Sequence, residues 1–163
     1  MDLVEIKDYE GLYSLDKNTN QVYNTKYNRY IKPLLDKYGY HIIRFYKNSK
    51  ETKFKLHRLI YQIYYPDIDI NNLCIDHIDN NTLNNNIQNL RHCNRSENRC
   101  NVKVHKNNLL GIKNISLTKF NTYQVHINKN KKKYSKTFKT LEEAIEYRNI
   151  KKKEIQGEFS NIN

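Results

Sequence analysis

The stretch Leu73 to Asn101, LCIDHIDNNTLNNNIQNLRHCNRSENRCN, decides how this chain is read. Leu73 to Ile75 form a short apolar run, a strand that delivers Asp76 and His77. Successive strand residues point to opposite sides of the backbone, so the carboxylate and the imidazole face different ways. One can bind a metal while the other meets a reacting water. An Asn-rich loop follows, and Ile87 and Leu90 then supply apolar anchors. Asn94, with Glu97 three residues on, is a capping-box start for a helix that carries Asn98. Asn89 stands twelve residues after His77, and Asn98 nine further. A helix returning after the loop can bring Asn98 back against Asp76.

Upstream, Leu12 to Leu15, Gln21 to Thr25, Tyr30 to Leu34 and Tyr40 to Tyr46 are rich in Tyr, Ile, Leu and Val and are separated by Asn- or Gly-containing turns, which predicts short strands. The run from His57 to Tyr65 places Leu59, Ile60, Ile63 and Tyr64 at helical spacing, and Pro66 stops that helix. His57 opens it and is expected to pack against it or cap it. Downstream, Gly111 to Ser116 reads as a strand. Thr122 to Asn128 alternates, with Tyr123, Val125 and Ile127 on one face and Gln124, His126 and Asn128 on the other. A lysine-rich turn leads to a third strand ending at Phe138. Thr140 then N-caps a helix with Glu142 and Glu143 in its first turn and Leu141, Ala144, Tyr147 and Ile150 as its apolar stripe. Residues 101–110 read as a linker or as an extension of the preceding helix.

The chain has 163 residues, room for one ordinary domain or two to three small modules. Its 29 Lys+Arg against 17 Asp+Glu give a net charge of +12, which points to a polyanion, nucleic acid before membrane. The excess is uneven: the first 56 residues and the last 63 are basic, while the middle is nearly neutral. Flanks that hold a polyanion and a middle that holds a cation fit that split. No apolar run reaches the roughly 18–20 residues of a membrane-spanning helix, and the acidic start, Asp2, Glu5 and Asp8, is unlike a signal peptide. Three cysteines without a C-x-x-C pair argue against both a disulfide framework and a cysteine-rich zinc site. An intracellular location, in host cytoplasm or nucleus, is expected. The crowding of Asn, Lys, Ile and Tyr is what an AT-rich genome would produce, so many of the asparagines carry little information on their own.

Taken together, HRLIYQIYY and CIDHIDNNTLNNNIQNLRHCNRSEN resemble the HNH homing endonucleases of phages and giant viruses, the ββα-metal nucleases. The upstream EIKDYEGLYSLDKNTNQVYN resembles the nuclease-associated modular domain that precedes such cores, and the downstream strands and helix resemble a DNA-binding domain of the plant ethylene-response-factor type. The resemblance implies an α+β protein of three modules: residues 1–55 as a small β-rich module, 56–104 as the nuclease core, and 111–163 as a three-stranded antiparallel sheet plus helix. It implies a site-specific, metal-dependent DNA endonuclease, encoded by a virus or mobile element. His77 is then the general base, Asn89 the residue that braces its loop, and Asp76 and Asn98 the ligands of one divalent cation, Mg²⁺ or Mn²⁺. Hard carboxylate and amide oxygens suit those ions. Arg91 is expected to meet a phosphate, and Lys113, His126, Asn128, Lys133 and Tyr134 to contact double-stranded DNA. No membrane and no small-molecule cofactor are implied, and a monomer is expected. The alternative reading is a DNA-binding regulator that has lost cleavage. Two departures from the family pattern stand out: Asn98 replaces the final histidine, and Asn80 replaces the glycine after the loop aspartate.

Overall fold

A computed structural model describes residues 1–100, 104, 107–129 and 132–156, and divides the chain into two compact units, Met1–Cys93 and Asn94–Asn163.

The first unit begins with an antiparallel meander of β1 (Leu3–Glu5), β2 (Tyr13–Asp16), β3 (Gln21–Asn24) and β4 (Arg29–Tyr30). A second sheet follows, of β5 (Leu34–Leu35), β6 (His41–Lys47) and β7 (Lys50–Lys55). Asn48 and Ser49, both at positive φ, form the two-residue turn between β6 and β7, with Lys47 opposite Lys50. Two left-handed residues in succession match the twist of a tight hairpin. Helix α1 (Leu56–Tyr64) buries Leu56, His57, Ile60 and Tyr61 on one face and stops ahead of Pro66. Arg58 then donates to the carbonyls of Ile70 (2.7 Å) and Leu73 (2.9 Å), which pins the loop feeding β8 (Cys74–His77). β8 pairs antiparallel with β9 (Leu90–Cys93), and Cys74 faces Cys93 across the ladder, both as thiols.

One core runs through this unit. Leu15, Val22, Ile43 and Phe45 from the first two sheets pack in the same cluster as Ile60 of α1, Ile75 of β8 and Leu90 of β9. Tyr13 stacks on Phe45 at 4.3 Å between centroids, and its hydroxyl accepts from the amide of Tyr46. The boundary expected at residue 55 therefore does not divide one core from another. Modules this small bury little apolar surface on their own, and here both sheets, α1 and the β8–β9 pair contribute to one core.

The second unit opens with α2 (Arg95–Cys100), where Asn94 and Glu97 form the expected reciprocal cap: Glu97 donates its amide to Asn94 Oδ1 (2.9 Å) and accepts from the Asn94 amide (2.8 Å). β10 (Ile115–Leu117), β11 (Tyr123–Lys129) and β12 (Lys132–Phe138) form an antiparallel sheet covered by α3 (Leu141–Gln156). The first of these strands is shorter than expected. Asn114 adopts a left-handed φ of 66° and ties back to His126 through both backbone and side chain, so residues 112–114 turn rather than extend. Along α3 the buried face runs through Ala144, Arg148 and Lys152, while Ile150 is 52% exposed and leaves the expected stripe. A spacing of four carries two basic residues inward, with Lys152 wholly buried. Residues 101–103 and 105–106, in the segment read as a linker, and Lys131 of the lysine run lie outside the described residues.

Candidate active site

The β8 strand sets the site by alternation. Ile75 enters the core, Asp76 points to the other side, and His77 returns toward the interior at the strand end. Opposite Asp76 in the ladder stands Arg91, whose Nε and Nη2 lie 3.1 and 3.0 Å from Asp76 Oδ2. Arg91, expected at a phosphate, is thus engaged with the carboxylate expected to hold the cation. Charged hydrogen bonds of this kind fix a carboxylate plane firmly.

His77 is 4% exposed. The rings of Tyr40 and His57 surround it at 6.0 and 5.0 Å between centroids. Burial pushes the His57 imidazole down to about 3, helped by the nearby His77, Lys55 and Arg58. His57 is therefore neutral at ordinary pH, and its Nδ1 has no hydrogen-bond partner among the described residues. On the remaining side, His77 Nε2 lies 3.2 Å from Asn85 Oδ1.

The loop between β8 and β9 is an asparagine scaffold. Asn89 donates to Asp79 Oδ1 and to the Asn84 carbonyl, both at 2.9 Å, and accepts from the Asp79 amide at 3.0 Å. Its carbonyl also receives the Ile78 amide at 2.9 Å. Asn84 donates to Asp79 Oδ2 at 2.7 Å. Burial pushes the Asp79 carboxyl up, but the hydrogen bonds from Asn84, Asn81 and Asn89 outweigh it and hold the group below the usual range. Asn80 takes the left-handed φ of 58° that a glycine would otherwise supply. Thr82 anchors the loop to the second sheet by donating to the Gly39 carbonyl (2.8 Å).

The family profile described as HNH endonuclease matches residues 54–100, which include the strand, the loop and α2. The DNA endonuclease I-HmuI of Bacillus phage SP01 is 38% identical over 91 residues, covering 56% of this chain and 51% of the relative. The uncharacterized HNH endonuclease L560 of Acanthamoeba polyphaga mimivirus is 32% identical over 131 residues, 78% of this chain and 68% of its own length. This chain belongs to the HNH endonuclease family. A solved structure described as DNA binding and cleavage by the HNH homing endonuclease I-HmuI is similar to it at a TM-score of 0.56 and 28% identity, over 91% of this chain and 84% of that one. The chain spans about half the length of the phage relative, and 30% of a second mimivirus HNH endonuclease, L245.

Within the HNH frame, Asn98 lies on α2 and so belongs to the second compact unit, while Asp76, His77, Asn89 and Arg91 belong to the first. Among the described residues no group of three or more His, Cys, Asp or Glu gathers as a metal cage. On the C-terminal sheet, cross-strand partners share a face. Asn128 pairs with Lys133 and His126 with Ser135, on the face opposite the buried Val125 and Ile127. Desolvation, with Lys133 adding to it, lowers the His126 pKa. Tyr134 pairs with Ile127 and so stands on the helix-covered side, away from His126, Asn128 and Lys133. Lys113 is half-buried in the turn before β10.

A groove of about 660 Å³ in the first unit escaped the sequence reading. Lys26, Arg29, Lys32 and Arg44 line it together with Tyr27 and Tyr46. The signal was present as basic residues three apart between tyrosines. What sequence could not supply was Arg44, which reaches the same groove from the second sheet.

Proposed function

We propose that this protein is a site-specific, divalent-metal-dependent DNA endonuclease of the homing type, hydrolysing a phosphodiester to leave 5′-phosphate and 3′-hydroxyl ends. The observation that carries this reading is the strand end that turns Asp76 toward Arg91 and His77 into a braced pocket within a chain of the HNH endonuclease family.

His77 is the general base that takes a proton from the attacking water, and Asn89 holds the loop that orients it. Arg91 fixes the carboxylate of Asp76. Asp76 and Asn98 would hold the cation. The donor set fits a small hard ion: a carboxylate and an amide oxygen are the ligand types that Mg²⁺ takes, together with water and substrate phosphate. When bound, the ion supplies charge neutralisation at the phosphate and Lewis-acid help to the departing 3′-oxygen. Double-stranded DNA is the partner. We assign its contacts to the basic N-terminal groove and to the outer sheet face of His126, Asn128 and Lys133, with Lys113 at its edge; the sheet-plus-helix order of this segment suits the ethylene-response-factor resemblance. Tyr134 shares the other face with Ile127 and stands outside this contact set.

The test is cleavage of supercoiled plasmid with and without Mg²⁺ or Mn²⁺, on wild type and His77→Ala. Metal-dependent nicking or linearisation, reduced roughly 10²–10⁴-fold in the variant while DNA binding survives, is expected. DNA binding by the wild type with no cleavage in either metal would favour the regulator instead.

A further inference from the structure

The geometry points to Asn85 as a positioning residue that sets which nitrogen of His77 carries the proton, an inference that rests on His77 being the base.

Asn85 is 9% exposed and sits in the loop eight residues after His77. Its side chain has three partners. Nδ2 lies 3.0 Å from His41 Nδ1 and 3.3 Å from the Leu83 carbonyl oxygen, and Oδ1 lies 3.2 Å from His77 Nε2. A carbonyl oxygen can only accept, so the amide nitrogen must face Leu83. That fixes the amide: its nitrogen donates to His41 Nδ1, and its oxygen accepts. An amide oxygen has no proton to give, so His77 Nε2 must be the donor. The imidazole is thereby held as the Nε2–H tautomer, with the basic lone pair on Nδ1. In a general base the tautomer decides which edge of the ring can take a proton, and an amide that accepts from Nε2 also fixes the ring's orientation and raises the basicity of Nδ1.

The lock is itself anchored far away in sequence. His41 opens β6 in the second sheet, 44 residues before Asn85, and accepts through Nδ1. Thr82, bonded to the Gly39 carbonyl, ties the same loop to the same sheet. The β6 end thus holds the amide, and the amide holds the base. Neither Asn89, which closes the loop on Asp79, nor His57, which meets His77 by ring packing, makes this contact.

The experiment uses the full chain, supercoiled plasmid at saturating enzyme with Mg²⁺, and DNA binding measured in chelator. Asn85→Leu, which fills the space without an acceptor, should slow single-turnover cleavage roughly 10- to 100-fold with binding unchanged. Asn85→Asp keeps an oxygen toward Nε2 and should recover most of the rate. In a His77→Ala background Asn85→Leu should change nothing further. With ¹⁵N-histidine labelling, the His77 ring should report Nε2–H in the wild type and a mixture in Asn85→Leu. The positioning role falls if wild-type His77 carries its proton on Nδ1, or if Asn85→Leu cleaves at the wild-type rate while His77→Ala is inactive. It falls equally if Asn85→Leu costs the same in both backgrounds, as a purely structural residue would. A His77→Ala protein that cleaves normally overturns the base assignment instead, and the ring spectrum then shows whether the amide lock exists without it.

Discussion

Arg91 stands directly across the β8–β9 ladder from Asp76 and spends two of its nitrogens on one oxygen, Oδ2, at 3.1 and 3.0 Å. With side chains only 18% and 8% exposed, the pair is shielded from solvent. Removing one member of such a pair strands the other charge. Arg91→Ala is expected to lower stability by about 3 kcal/mol, and Arg91→Lys, which lacks the planar fork, by an intermediate amount. Urea unfolding of the three proteins measures this. A loss below about 0.5 kcal/mol for the alanine variant would place the pair among ordinary surface contacts.

His57 gives the fold an acid-sensitive point. The unfolded chain takes up a proton there near pH 6.5, whereas the folded chain refuses it until about pH 3. The unfolded state therefore binds more protons in that window. The contribution of His57 is complete above pH 6.5 and declines as pH falls, by about 1.4 kcal/mol for each pH unit. Comparing urea midpoints from pH 8 to pH 4.5, His57→Phe should show a flatter acid limb than wild type. Parallel curves would mean that His57 is not the group responsible.

Asp76 and Asn98, the proposed cation ligands, should each be needed. Asp76→Ala and Asn98→Ala are expected to abolish Mg²⁺-dependent cleavage, and chelator should silence the wild type. Mn²⁺, which tolerates altered coordination, should rescue some of the loss. Cleavage that persists in chelator would dispose of this cation site altogether.

On the C-terminal sheet the two faces should behave differently. Lys133→Ala removes one charge from the outer face, so the slope of log affinity against log salt should drop by roughly 0.9. Tyr134→Phe, on the face of Ile127, should leave both affinity and slope where they were. Filter binding across a salt series separates the two, and equal effects would contradict the face assignment.

Much of the site was legible because it depends on near neighbours. Asp76 and His77 follow a three-residue apolar run, Asn94 and Glu97 cap over three residues, and Val125 and Ile127 announce a buried face by simple alternation. What stayed hidden depends on distance in the chain. β9 has no alternation of its own, since its pattern is set by pairing with β8. The contact between Asn85 and His41 spans 44 residues and joins two residue types that a biased composition had made unremarkable. That bias also concealed how much the asparagines do: those at positions 20, 28, 48, 80, 114 and 121 supply left-handed backbone, and Asn84, Asn85 and Asn89 supply the loop's hydrogen bonds. Codon preference and structural use need not compete when the favoured residue is also a capable turn former.

The shared core has a bearing on how such a protein could be recombined. A swap junction at residue 55 would look natural from sequence, yet it would leave Ile75 and Leu90 facing a stranger's Ile43 and Phe45 and would replace the histidine that holds Asn85. A donor sheet would have to bring a matching His41 and a carbonyl for Thr82 before the recipient loop could settle. Exchange after Cys93 keeps that core whole but takes Asn98, proposed as a cation ligand, from a different parent than Asp76 and His77. The seams along which this chain can be cut without harm to packing are therefore not the seams along which its chemistry can be inherited.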